Sequence, residues 1–190
     1  MRKSNPLIVL DLDGVLNSTT MGFLNGYDGR SMDLELDSYS ISIFNMLLSG
    51  LPSHQILVSS SWRKQQDFSF QLLKDYGIKG NFLDVTPSLP DSWFRGDEVQ
   101  AWLDSHPEFD NYVCFDDGTD FHPHQNLIRT DPMYGIRLPD IYKALKILDP
   151  NVETQLHSDL ITEFYSIPLE ERSTFIPMNY PNLNVRLKNG

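Results

Sequence analysis

The feature that most restricts this chain is a pair of acidic turns, each set directly behind an apolar run. Leu7-Ile8-Val9-Leu10 leads into Asp11-Leu12-Asp13-Gly14, and Tyr112-Val113-Cys114-Phe115 leads into Asp116-Asp117-Gly118. A short unbroken apolar run fits a strand covered on both faces, as in a parallel sheet with helices on either side. In such a sheet ligands bind beyond the carboxyl ends of the strands, where the strand order reverses. If these two strands are neighbours, four carboxylates meet at that edge. Either turn alone is ordinary turn chemistry. Together they crowd like charges, and a hard cation between them relieves the repulsion. Mg²⁺ suits the role, since it takes oxygen ligands in an octahedron, commonly one or two carboxylates with waters and phosphate oxygens.

The rest of the chain alternates strand-like and helix-like stretches, the pattern of an α/β, Rossmann-like fold with a central parallel sheet flanked by helices. Further strands are expected at 55–59, 81–85 and 126–129. Helices are expected at 37–48, 66–76, 96–104, 139–148 and 152–165. Ser166–Gly190 has no clear period, so residues 1–149 read as the catalytic core and 150–190 as a helix and extended tail packed on it.

Composition narrows the function. Of 190 residues, 40% are hydrophobic, enough for a globular core. The net charge of −11 repels polyanions at long range, which disfavours nucleic acid as a partner and suits a holder of divalent cations. The single cysteine, Cys114, excludes a disulfide within the chain. It sits in an apolar run with no arginine in the turn that follows, so it reads as an inert buried thiol, not a phosphatase nucleophile. The apolar run at the start stops at Asp11, too short for a signal peptide. No stretch approaches the roughly 20 apolar residues that cross a bilayer. A soluble protein of a reducing, cytoplasm-like compartment is expected. His122-Pro123-His124 reads as a surface loop in preference to a transition-metal site.

Asp11-Leu12-Asp13-Gly14-Val15 resembles the first motif of the haloacid dehalogenase (HAD) superfamily, Asp-x-Asp-Gly-Thr/Val after an apolar strand. The resemblance implies that Asp11 attacks phosphorus to form an aspartyl-phosphate. It implies that Asp13 is acid to the leaving group and then base to the hydrolytic water. The second motif, a hydroxyl ending the second strand, falls in Ser59-Ser60-Ser61-Trp62-Arg63; Ser60 is the first choice and Ser59 the second. The third, a cation balancing nucleophile and phosphate, is assigned to Arg95, with Arg63 as the alternative or as a substrate clamp. The fourth is matched by Asp116-Asp117-Gly118. It implies Mg²⁺ held by Asp117 with Asp116 in support, by a carboxylate oxygen of Asp11 and by the backbone carbonyl of Asp13. Asp120 is a candidate outer-shell acid.

The resemblance spans roughly residues 7–148. The Ser-Trp and Gly96-Asp-Glu-Val-Gln-Ala-Trp-Leu103 segments resemble HAD domains associated with RNA repair. Superfamily members often carry a cap domain after the first motif or before the third. Here the first gap has room for a small hairpin flap, with Phe23, Tyr27 and Arg30 available to grip substrate, and the second gap is shorter still. The expected protein is therefore a capless, Mg²⁺-dependent phosphomonoesterase with an open site. The expected substrate is macromolecular, with a phosphoprotein, phosphotyrosine included, favoured by the charge. A polynucleotide end phosphatase, a 5′-nucleotidase and a non-catalytic module of the same fold are the alternatives.

Overall fold

Five strands make one sheet: β1 (Leu7–Leu10), β2 (Gln55–Val58), β3 (Phe82–Val85), β4 (Tyr112–Asp116) and β5 (Leu127–Arg129). All pairings are parallel, in the order β3-β2-β1-β4-β5. The computed structural model describes residues 5–24, 36–51 and 53–149. The helices are α1 (Thr19–Leu24), α2 (Ser38–Ser49), α3 (Phe70–Asp75), α4 (Arg95–Ser105) and α5 (Leu138–Leu148), with a 3₁₀ turn at Ser61–Lys64.

β1 is unbroken Leu-Ile-Val-Leu because both its faces are covered. Ile8 and Leu10 join Ile56, Val58, Val113 and Phe115 in a core closed by α2, α3 and α5. Leu7, Val9, Leu57 and Cys114 face the other way, onto Val99, Trp102 and Leu103 of α4. Burial also pushes the Cys114 thiol far up, in keeping with an inert core residue.

The chain runs outward from β1 to β2 and β3, then crosses to β4 on the opposite side of β1. The order therefore reverses between β1 and β4. Their register pairs Leu10 with Phe115, and the Asp11 N–H donates to the Phe115 carbonyl at 3.0 Å. The two acidic turns thus leave the sheet side by side at its ligand-binding edge.

The elements differ from the sequence expectation in two places. The helix expected over 66–76 is shorter: the chain makes a separate 3₁₀ turn at 61–64, and α3 begins only after Ser69, whose hydroxyl accepts from the Leu72 N–H at 3.1 Å. The start of the first gap is helical, and residues 25–35, where most of the expected hairpin flap falls, lie outside the described residues. α1 is anchored by Thr19 and Thr20 N–H groups on the carbonyls of Pro132 and Met133. Tyr27, Arg30, the helix expected at 152–165 and the tail lie outside the described residues. Only the irregular segment 86–94 separates β3 from α4, so no cap is inserted there. Among the described residues no helix is long and apolar enough to cross a membrane.

Candidate active site

Asp11 follows the last residue of β1 and is almost fully buried. Its Oδ1 accepts the Leu12 N–H at 2.8 Å and lies 3.4 Å from Nη1 of Arg95. The Ser60 hydroxyl also bonds this carboxylate. Burial raises the Asp11 pKa, and Arg95, these hydrogen bonds and Leu12 pull against that rise.

Gly14 makes the tight approach of the two turns possible. Its φ is +69°, and a Cβ there would lie 2.6 Å from the Asp117 carboxyl group. Thr130 Oγ1 donates to the Gly14 carbonyl at 2.8 Å and ties the turn to the segment after β5. Carboxylate oxygens of Asp11, Asp116 and Asp117 all fall within 4.8 Å of one another. Asp116 is buried. Its Oδ1 accepts the Gly118 N–H at 2.8 Å, while Oδ2 accepts no hydrogen bond from the described residues and lies 3.7 Å from Arg95 Nε. Burial first, then the charge of Asp11, pushes the Asp116 carboxyl up to about 7, and Asp117 is also raised, chiefly by burial. Three hard oxygen donors, one of them buried without a hydrogen bond, fit a cation such as Mg²⁺.

The Asp13 carboxylate is directed elsewhere. It accepts from the indole Nε1 of Trp62 at 3.1 and 3.0 Å and from Asn17 Nδ2 at 2.9 Å. Asn17 Oδ1 in turn accepts the Gly14 N–H at 2.8 Å. The Asp13 side chain is thus outside the three-carboxylate cluster and held in a fixed orientation beside it.

Arg95 opens α4. Its N–H donates to Asp120 Oδ2 at 2.8 Å, and the Gly96 N–H donates to the Asp120 carbonyl at 2.9 Å. A Cβ on Gly96 would meet Gln125 Oε1 at 2.6 Å and Phe121 Cα at 2.9 Å, so the helix start sits tightly on the loop after β4. That clamp aims the guanidinium between Asp11 and Asp116. Asp120, expected as an outer-shell acid, caps the backbone of α4. His122 is part of the same clamp, its Nε2 lying 2.7 Å from Asp97 Oδ1, while His124 meets Gln100 at 3.0 Å. Neither belongs to a metal-type cluster among the described residues.

Arg63 departs most from expectation. Its side chain is 4% exposed, and its donors go inward: Nη2 to Glu98 Oε2 at 2.6 Å, Nη1 to the Ser60 carbonyl at 2.6 Å and Nε to the Thr86 carbonyl at 3.0 Å. The guanidinium expected to clamp substrate is a brace between the 3₁₀ turn, the end of β3 and α4. Removing one member of a buried pair strands the other charge. Arg63→Met is therefore expected to lower unfolding stability by about 3 kcal/mol, read from urea melts. A normal melt with a raised KM would instead identify Arg63 as a substrate ligand.

Ser59 and Ser60 are both buried. Ser60 meets Asp11, while the Ser59 hydroxyl, like that of Thr86 just past β3, accepts or donates no hydrogen bond among the described residues. Sequence reasoning overlooked Trp62, Asn17 and Thr86. A hydroxyl directly behind the third strand was the available signal for Thr86, whereas the bonds of Trp62 and Asn17 to Asp13 depend on the folded turn.

No curated protein and no solved structure matches the chain. The family model for the HAD domain in Swiss Army Knife RNA repair proteins matches residues 7–141, more than two-thirds of the length, and covers every site residue described above. Both acidic turns, the hydroxyl behind β2 and the cation opening α4 thus lie within the matched segment, on a parallel sheet without an inserted cap; the chain belongs to this family, a capless branch of the haloacid dehalogenase superfamily, whose fold carries phosphohydrolase chemistry.

Proposed function

We propose that the protein hydrolyses phosphate monoesters with Mg²⁺, through a phosphoryl group carried on Asp11. The observation that supports this most is the meeting of Asp11, Asp116 and Asp117 around the Arg95 guanidinium at the strand-order reversal. A carboxylate oxygen of Asp11 attacks phosphorus as the bond to the leaving oxygen breaks, and Asp13 gives that oxygen its proton. Water then attacks the aspartyl-phosphate, Asp13 takes its proton, and the bond from phosphorus to Asp11 breaks to release inorganic phosphate. Trp62 and Asn17 keep Asp13 oriented for both transfers. Arg95 offsets the charge that gathers between nucleophile and phosphate, and Ser60, with Ser59 beside it, donates to phosphate oxygens. Asp11, Asp116 and Asp117, with the Asp13 carbonyl, would hold Mg²⁺, which draws charge from the phosphate oxygens when bound. The core for this chemistry is residues 1–149, with 150–190 an addition to it.

The absence of a lid in 86–94 favours a macromolecular substrate, because small metabolites are usually sequestered from water during reaction. The net charge of −11 supports a phosphoprotein. The family match, to domains of RNA repair proteins, supports a polynucleotide end phosphate, and we adopt that reading. Hydrolysis of p-nitrophenyl phosphate should require Mg²⁺ and stop with chelator. Turnover that persists in chelator overturns the metal requirement, and no turnover at any Mg²⁺ concentration would leave a non-catalytic module.

A further inference from the structure

The segment between β3 and α4 carries the most exposed large apolar side chain among the described residues. Trp93 is 95% exposed, and Phe94, next to Arg95, is 59% exposed. The other two tryptophans are engaged. Trp102 is buried and its indole N–H bonds Asp84, while that of Trp62 bonds Asp13. Trp93 and Phe94 together leave two adjacent aromatic rings in water beside a polar site, an arrangement suited to the flat apolar face of a ligand.

Trp93 stands on a cleft of about 240 Å³ whose lining includes Ser61, Lys64, Pro90, Arg95 and Asp120. Arg95 belongs both to this cleft and to the carboxylate cluster, so the cleft adjoins the site of phosphoryl transfer. Pockets for whole small molecules run from about 300 Å³ upward, so this one suits a single unit of a longer chain.

We infer that Trp93 is a stacking platform for the nucleobase next to the terminal phosphate of a single-stranded polynucleotide, with Lys64 meeting a backbone phosphate beside it. This rests on the reading of Asp11 as a phosphatase nucleophile. On the polynucleotide reading, three observations place a nucleobase on this ring. First, the net charge of −11, which by itself disfavours a polyanion, leaves the grip to uncharged contact near the end, and stacking on an aromatic face supplies that for any base. Second, the Trp93 ring is open to solvent, a platform in shape and not the enclosed slot that would guide a tyrosine ring to the nucleophile. Third, the Lys64 ammonium is 4.0 Å from Glu98, which Arg63 already holds at 2.6 Å, and its side chain is 57% exposed, so a phosphodiester can reach it.

The test compares the full chain with Trp93→Ala and Trp93→Phe on four substrates: a short RNA with a terminal phosphate, the same RNA with an abasic terminal residue, a phosphotyrosine peptide, and β-glycerophosphate. The wild type should prefer the base-bearing RNA to the abasic one by about tenfold or more in kcat/KM, mainly through KM. Trp93→Ala should erase that preference and Trp93→Phe retain part of it. Equal preference in wild type and Trp93→Ala overturns the platform. So does a wild type that favours a phosphotyrosine peptide and loses that preference in Trp93→Ala. Failure to turn over any of the esters would sink the assigned chemistry, not the platform. Binding of the two RNAs is therefore also followed by fluorescence anisotropy: tighter binding of the base-bearing RNA, lost in Trp93→Ala, supports the inference without turnover, and equal binding overturns it.

Discussion

Asp11→Asn is expected to reduce phosphomonoester hydrolysis by about 10⁴-fold or more, and to do so in a protein that still folds. The amide is close in shape to the carboxylate but is a far poorer phosphoryl acceptor. The loss should appear in kcat, because the Arg95 guanidinium and the hydroxyl of Ser60 remain to bind phosphate. Burial raises the Asp11 pKa, which means that the fold opposes the charge there. A neutral side chain at this position relieves that opposition, so the variant should melt no lower than the wild type in chelator. The pairing of the two readouts is what makes the experiment decisive. Retained turnover, with the melt unchanged, assigns the nucleophile to another group or to water. A second readout is direct: wild-type protein quenched during turnover should carry an acid-stable, alkali-labile phosphoryl group that Asp11→Asn lacks.

Much of this site was legible because a parallel sheet writes itself plainly into sequence. β1 and β4 are apolar at consecutive positions since helices cover both faces, and in each the apolar run, to Leu10 and to Phe115, gives way to a carboxylate at the edge of the sheet. The acidic turns therefore mark the strand ends as well as the chemistry. Arg95 was legible for a related reason: it opens a helix, and the helix start is fixed by the Gly96 contact with the loop after β4.

Most of what escaped the sequence depends on partners distant along the chain. Arg63 and Glu98 are 35 positions apart, and nothing local distinguishes an arginine that meets phosphate from one that meets a buried glutamate. Trp62 is 49 positions from Asp13. The helical register that joined residues 66–69 to α3 failed because Ser69 satisfies the first turn of that helix with its own hydroxyl, a choice that periodicity does not record. α1 contains Thr, Thr and Gly, poor helix formers, and its first N–H groups rely on carbonyls more than a hundred positions later.

Mg²⁺ should stabilise the protein far more at pH 8 than at pH 5, and Asp116 should be the main reason. Its carboxyl is pushed up to about 7 from an ordinary value of 3.8, by burial first and by the Asp11 charge second. Between about pH 4 and pH 7 the folded protein then holds a proton that the unfolded chain has released. Stability from this group is thus present at low pH and is lost as pH rises through the folded value. In chelator, the lead of Asp116→Asn over wild type in the melt should be small at pH 5 and clearly larger at pH 8, since the amide never titrates. A cation bound to the folded state reverses the penalty at high pH. At a Mg²⁺ concentration about a hundred times its dissociation constant the gain is about 2.7 kcal/mol, or about 5–10 °C in Tm for a domain of this size. The same addition at pH 5 should do little, because the proton on Asp116 competes with the metal. Asp116→Asn should lose most of the Mg²⁺ shift at both pH values. A wild-type shift of equal size at pH 5 and pH 8, or a lead of Asp116→Asn in chelator no larger at pH 8 than at pH 5, would show that the buried carboxylate is not the group that couples metal, proton and fold.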